Sequence, residues 1–239
     1  MTFDEVLHFR RAVRRFDPEA SFDPDVVKRC LERATLAPSS SNLQFWEFYR
    51  IKDPQTRAAL NEACFHQPAA VTAHELVVVA TRLDLWPQRI QANVDFLHQQ
   101  FGHQPEEALT PAQRGALAYY QKILPALFRG YRWWGWLKYA WMMWKGRKKP
   151  AFREVRACDL RISAHHSVAL AVQTFMLAMA AEGYDTCPIG GFDSRRVRKI
   201  LALPSGAEIN CLVACGKRAE DGVYGPRFRL PFEQVYREI

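Results

Sequence analysis

Arginine dominates the side chains of this sequence that could do chemistry. The stretch "FRRAVRRF" sets Arg10, Arg11, Arg14 and Arg15 within six positions, and "GPRFRLP" sets Arg227 and Arg229 two apart between prolines. A guanidinium offers planar, paired donors at constant charge, so the two clusters, if the fold joins them, could grip a single phosphate. Taken singly, each reads first as a set of solvated surface bases, because surface arginines are common. Helical spacing in the first cluster predicts that Arg10 and Arg14 share a side, and alternation along an extended segment predicts the same of Arg227 and Arg229.

Two backbone-centred motifs accompany the bases. In "TCPIGGFD", Thr186 to Asp193, Gly190 and Gly191 follow Pro188 and Ile189. The main chain can therefore pass close to a ligand and present bare N–H groups, while Asp193 is placed to cap a following helix. A tight turn with no ligand fits the same residues. In "APSSSNLQFWEF", Ala37 to Phe48, the residues Pro38, Ser39, Ser40 and Asn42 set hydroxyl and amide groups directly before a bulky apolar run. Such a turn either offers hydrogen bonds to something outside it or merely caps and connects. Metal chemistry has little footing: His165 and His166 point to different sides of a helix, His98 and His103 carry no ligand spacing, and there is no HExxH. Glu106 and Glu107 read as acids favourably placed at a helix start.

Regular elements must hold these motifs. Thr2 and Glu5 have capping-box spacing ahead of Val6, Leu7, Phe9 and Val13, which predicts a first helix that ends in the arginines. Asp23 as cap, Pro24 in the first turn and Val27, Cys30, Leu31 and Ala34 at i, i+3, i+4 and i+7 predict a second helix, stopped by Pro38. "FWEFYRI" reads as a strand, and a capped helix follows at Asp53 and Pro54. The runs "ELVVVAT" (Glu75 to Thr81) and "AEINCLVACGK" (Ala207 to Lys217) read as strands of a sheet covered on both faces. "RISAHHSVALAVQTFMLAMAAEGYD" has no proline and is apolar nearly all round, which predicts a long central helix ended by Gly183.

Composition bounds what these elements can build. With 239 residues, 27.6 kDa and 49% hydrophobic residues, the chain has material for a sizeable core. Its six cysteines (Cys30, Cys64, Cys158, Cys187, Cys211 and Cys215) form no CxxC pair and no zinc-type spacing, which predicts reduced, mostly buried thiols in a cytoplasmic protein. Acids precede bases at the start and no unbroken apolar stretch follows, so the expectation is a chain that begins near Met1 without a secretory or transit segment. A formal net charge of +8 and a pI near 9.3 imply anionic partners, whether nucleic acid, a membrane surface or a phosphorylated ligand.

Between Trp86 and about Ala151 the text changes to three helical pieces with no strand-like run and no linker-like bracket. We read 1–239 as one α+β domain with a helical, aromatic-rich insertion at about 86–151. Within it, residues 131–149, "YRWWGWLKYAWMMWKGRKK", crowd Trp133, Trp134, Trp136, Tyr139, Trp141 and Trp144 ahead of Lys145, Arg147, Lys148 and Lys149. The segment is too short, and too interrupted by Lys138, to span a bilayer. Packing or dimer cover, a pocket lid and weak contact with an anionic membrane surface all stay open for it.

Four stretches in this order, "RRAVRRF", "APSSSNLQFWEF", "AAEGYDTCPIGGFD" and "RFRLP", resemble the nitroreductase family of FMN-dependent oxidoreductases, over roughly residues 2–85 and 155–239. The resemblance implies an α+β sandwich with a central, mostly antiparallel sheet flanked by helices. It also implies an obligate homodimer with FMN in clefts between the subunits. Arg10, Arg11, Ala12 and Arg14 would then bind the phosphate and flavin edge, Ala12 standing where the family usually has serine, and Arg227 and Arg229 would complete the phosphate site. Pro38, Ser39, Ser40 and Asn42 match a turn that reaches the other subunit's flavin. Pro188, Ile189, Gly190 and Gly191 match the loop over one flavin face, with an N–H near Gly190 directed at flavin N5. Arg14 matches a cation beside N1 and O2, and Gln67 an amide near the pyrimidine ring. A fixed N–H dipole tunes N5 without adding a titrating group.

The reaction so implied is ping-pong: NAD(P)H reduces the flavin and leaves, and a small oxidised acceptor such as a nitroaromatic or quinone then takes two electrons. No side chain is nominated as catalytic, because the isoalloxazine carries the chemistry. This reading expects no nucleic-acid partner. Inserted helices commonly shape the substrate pocket in this family, which gives the aromatic segment its possible role as a lid. Two alternatives stand beside it: a flavoprotein of the same fold with another reaction, reductive dehalogenation or flavin destruction, and a basic nucleic-acid or membrane-surface binding protein whose arginines only imitate a flavin site.

Overall fold

The computed structural model describes the backbone of residues 1–239 and every side chain except those of Tyr131 and Arg132, so the first two side chains of the aromatic segment 131–149 lie outside the described residues. In chain order the elements are α1 (Phe3–Phe9), α2 (Asp25–Ala34), β1 (Trp46–Ile51), α3 (Pro54–Ala63), α4 (Pro68–Thr72), β2 (Glu75–Thr81) and α5 (Trp86–Gln100). There follow α6 (Pro111–Ala118), α7 (Leu124–Phe128), α8 (Tyr131–Lys145), α9 (Ala157–Ala181), β3 (Asp185–Ile189), α10 (Ser194–Ile200), β4 (Glu208–Gly216) and α11 (Phe232–Val235).

The strands pair antiparallel in the order β1-β2-β4-β3. Every residue of β2 is buried, because helices cover both faces of the sheet. Val77 and Val79 join Val213 and Cys215 in a cluster with α2, α5 and α9. Leu76 and Val78 join Leu212 and Ala214 in a second cluster with α3, α4 and α10. Alternate residues thus face two apolar layers, and an uninterrupted apolar run results. This is the α+β sandwich expected, with α9 as its central helix: Val168, Ala171, Phe175 and Met179 have no exposed surface. Past its end Gly183 takes φ +75°, the left-handed conformation a glycine stop uses. β3 was not read as a strand from the sequence. Its Pro188 lacks a ladder donor, and the strand is accommodated at a sheet edge.

Helix α1 carries the predicted capping box, with the Glu5 N–H donating to Thr2 Oγ1 (3.3 Å) and the Thr2 N–H to Glu5 Oε2 (2.7 Å). It ends at Phe9, and the expectation that Arg10 and Arg14 sit on a helix is corrected here. Arg10 takes φ −62° and ψ 116°, and the chain runs on extended, with Ala12 bridged to Thr186 and Phe16 to Arg218. Main-chain bonds from the Val13 N–H to the Thr186 carbonyl (3.2 Å) and from the Arg14 N–H to the Gly222 carbonyl (2.7 Å) replace helical ones, while Val13 and Phe16 enter the core. Extended alternation still sets Arg10 and Arg14 on one side.

Helices α5 to α8 follow β2 without an intervening strand. Pro125 cannot donate to the carbonyl one turn back, and the backbone at Tyr119–Ile123 widens into a π turn, with the Leu124 N–H reaching the Tyr119 carbonyl.

All six cysteines are free thiols; five are buried and Cys158 is exposed. Burial pushes Cys30 and Cys64 up to about 11 and Cys211 to about 12, and raises Cys187 and Cys215 as well. At about pH 8 an alkylating reagent should label Cys158 alone in the folded protein and all six after denaturation, as counted by mass spectrometry. The buried thiols resist ionisation, so their contribution to stability is whole below about pH 9, where unfolded thiols titrate. It is lost as pH rises through about 11 to 12.

Candidate functional site

A helix as short as α1 leaves the carbonyls of its last turn without partners. Arginines from the far end of the chain supply them. Arg227 donates to the carbonyls of Leu7 (3.0 Å), His8 (3.0 Å) and Arg10 (2.6 Å), and Arg218 donates to that of Phe9 (2.9 Å). Arg218 is itself held by Asp185, a side chain only 3% exposed, which accepts from Arg218 Nε (2.9 Å) and from the Arg218 backbone N–H (2.9 Å). Capping α1 thereby docks the C-terminal segment on the N-terminal arginines.

The result is an open cleft of about 320 Å³ lined by Arg10, Arg11, Ala12, Arg14, Arg227 and Arg229, with Val223, Tyr224, Pro226 and Phe228. Arg11 Nη2 donates to the carbonyl of Gly225 (2.9 Å), whose φ of +85° turns the tail back over the cleft. Outside the cleft, nine arginines among the described residues have carboxylate partners and nine have none. Among the described residues, the five that line the cleft have none. Burial, and then the neighbouring charges of Arg10, Arg11 and Arg229, lower the pKa of Arg227, as expected where like charges gather without an acid. Five guanidinium groups around one cleft could accommodate an anion, and phosphate would suit their planar donors.

Along the same edge, Ala12 is bridged to Thr186 of β3, and that strand runs through Pro188 and Ile189 into Gly190 and Gly191. A Cβ built on Gly190 would meet nothing within 4 Å, so no neighbour in the chain requires glycine there and the backbone face is open to a ligand. Gln67 Nε2 donates to the carbonyls of Gly191 (2.6 Å) and Cys64 (3.0 Å). One N–H therefore holds the glycine loop, while the other ties the side chain back to its own corner. The corner before it holds Phe65 and His66 at φ +57° and +51°, a conformation that costs about 1–2 kcal/mol per non-glycine residue. Nothing local in the sequence signalled that strain.

The serine turn lies elsewhere. Ser39 Oγ accepts from the Gln44 N–H (2.9 Å), and the Ser40 N–H donates to Ser167 Oγ on α9 (3.1 Å). Asn42 Nδ2 donates to Asn93 Oδ1 on α5 (2.9 Å), and Asn93 Nδ2 donates back to the Asn42 carbonyl (3.1 Å). Ser41 Oγ lies 2.7 Å from the Tyr119 hydroxyl, and the Tyr120 hydroxyl donates to the Ser41 carbonyl (3.1 Å), so the π turn brings consecutive tyrosines to one serine. Asn93, Ser167, Tyr119 and Tyr120 are positioning residues the sequence did not reveal. Ser40 and Ser41 edge an apolar cavity of about 770 Å³ beneath α8, with Leu124, Leu127, Trp141, Met142 and Phe152 on its walls.

Within one chain, then, the expected site residues fall into two groups. Arg10, Arg11, Ala12, Arg14, Arg227 and Arg229 share the cleft, and Gln67 holds the loop of Pro188 to Gly191 that follows the strand beside Ala12. Pro38, Ser39, Ser40 and Asn42 are not among the residues lining that cleft.

The model of the nitroreductase family matches residues 7–217. Protein DrgA of Synechocystis sp. is 30% identical over 220 residues, 92% of this chain and 85% of its own length. The NADH dehydrogenase of Thermus thermophilus is 32% identical over 228 residues, 95% of this chain and 90% of its own length. Among solved structures, the FMN complex of a nitroreductase-type protein from Exiguobacterium sibiricum has a TM-score of 0.71 at 25% identity, covering 100% of this chain and 98% of that one. With a match running from Leu7 to Lys217 and relatives of this likeness, the chain belongs to the nitroreductase family.

Proposed function

We propose that this chain is an FMN-dependent oxidoreductase that moves an electron pair from NAD(P)H to a small oxidised acceptor, such as a nitroaromatic or a quinone, in ping-pong order. The observation that carries the reading is the cleft in which arginines from both ends of the chain meet without an acidic partner. The FMN complex of the Exiguobacterium sibiricum protein and the name of the Thermus thermophilus relative support the cofactor and the donor.

When bound, the isoalloxazine would accept a hydride from the nicotinamide and pass the electron pair on. The chain supplies position and field. Arg10, Arg11, Arg14 and Arg229 would neutralise the phosphate, while Arg227 holds the α1 carbonyls that shape the cleft. Gly190 leaves a main-chain face unobstructed, and Gln67 keeps its loop in place.

The serine turn stands apart from the cleft, so in this reading it serves the flavin of a second subunit. Surface apolarity supports the homodimer: Phe228, Leu230, Phe232 and Val235 in the tail are 76%, 54%, 65% and 64% exposed, and Ile162 and Leu170 on α9 are 49% and 48% exposed. The apolar cavity at Ser40 and Ser41 suits an uncharged aromatic acceptor.

Anaerobic addition of NADH or NADPH to the purified protein should bleach its flavin absorbance, and a quinone should restore it. A flavin that neither nucleotide bleaches would rule the reading out.

A further inference from the structure

Helix α8 packs by one narrow side. Gly135 lets it approach the chain entering α9, where an added Cβ would meet the Arg156 Cα at 3.1 Å. Lys138, one turn on, points inward and donates to the carbonyls of Ala126 (2.7 Å), Leu127 (3.1 Å) and Arg129 (2.7 Å), closing the end of α7. Met142 completes that side above the apolar cavity. At i, i+4, i+7 and i+11 the opposite side presents Trp133, Leu137, Ala140 and Trp144, flanked by Trp136, while the half-exposed Trp141 lies at the border and also walls the cavity. Trp133 is 81% exposed, Trp144 67% and Trp136 66%. The lysine that interrupts the apolar text therefore does not interrupt the outer face.

Charge follows the same segment. Between Glu107 and Glu154 the chain has ten lysines and arginines and no acid, more than its whole formal net charge of +8. Lys145, Arg147, Lys148 and Lys149 are exposed at the end of the helix. A stripe of indoles with bases beside it and no carboxylate complements an anionic lipid surface, where the indoles settle at the boundary of headgroups and acyl chains and the bases meet phosphate. A nucleic-acid duplex would use the bases but gain nothing from Leu137, Ala140 and Met143. The 15 residues of α8 extend about 22 Å, short of the roughly 30 Å hydrocarbon core, so the helix can lie in a bilayer surface and not cross it.

We propose that α8 is an interfacial helix that docks this protein on an anionic membrane surface, its tryptophan face in the headgroup boundary and the bases 145–149 against the lipid phosphates. The proposal does not depend on the flavin, and apoprotein and holoprotein should bind alike.

The test mixes the full-length protein with phosphatidylcholine vesicles, with and without about 30% phosphatidylglycerol. Sedimentation with the anionic vesicles only is expected, weakening as salt is raised. A blue shift of tryptophan emission should accompany it, since five of the seven tryptophans lie in α8. Trp133→Ser with Trp144→Ser, and separately Lys148→Glu with Lys149→Glu, should each lower the partition coefficient at least about tenfold, with reduction of a water-soluble quinone unchanged. Equal binding to neutral vesicles, no binding, or binding indifferent to both variants would overturn the proposal. So would salt-sensitive binding to duplex DNA that displaces vesicles and survives the tryptophan changes, which assigns the bases to nucleic acid. Assembly into higher oligomers that hides the tryptophans without lipid would overturn it too, assigning the face to further copies of the chain.

Discussion

Replacing Arg10 and Arg229 together by glutamine is expected to weaken FMN binding by about 10²- to 10⁴-fold. A hydrogen bond from a charged donor contributes about 1.5–3 kcal/mol, and each 1.4 kcal/mol is about tenfold in affinity. These two residues are chosen because neither donates to the carbonyls of α1. Arg227 does so three times, and its replacement would disturb the cleft itself. The stability of the apoprotein should hold or rise in the double variant, since the charges of Arg10 and Arg229 oppose that of Arg227. Flavin fluorescence titration beside a thermal melt reads both quantities. Unchanged FMN affinity would place the phosphate outside this cleft.

Asp185→Ala should destabilise the fold by about 1–3 kcal/mol, as expected when a buried carboxylate's hydrogen bonds to a guanidinium that is 32% exposed are lost. Asp185 is 3% exposed, and its loss strands an Arg218 guanidinium that also holds the Phe9 carbonyl and lies 4.6 Å over the Phe9 ring. The pair joins β3, the chain after β4 and the end of α1, so FMN affinity should fall in the same variant. Asp221→Ala is the control: its pair with Arg15 has side chains 60% and 51% exposed, and its removal should change stability by less than about 1 kcal/mol. Denaturant midpoints compare the two. A loss at Asp185 no greater than that at Asp221 would contradict the anchoring role.

Much of the architecture was legible because it is local. Thr2 and Glu5 announce α1 three residues apart, and the runs at β2 and β4 carry apolar side chains at both parities because both sheet faces are covered. The route of Arg10 to Arg14 was not legible. Val13 continues the helical spacing, yet the carbonyls of Thr186 and Gly222 compete for its segment from far along the chain. The anchor of Arg218 on Asp185, 33 residues away, leaves no spacing signal, and neither do the bonds from Asn93 and Ser167 to a turn 51 and 127 residues distant. β3 hid behind Pro188, whose usual meaning is a break. Lys138 was readable in principle, since a helical projection sets it with Gly135 and Met142 and away from Trp133 and Trp144.

The visible absorption spectrum of freshly purified protein tests the arginine cleft most directly. The cleft as described predicts a yellow protein with a flavin band, about one FMN released per chain on denaturation, and loss of the colour in the Arg10 and Arg229 double variant. A protein that is colourless and remains so after incubation with excess FMN would contradict it.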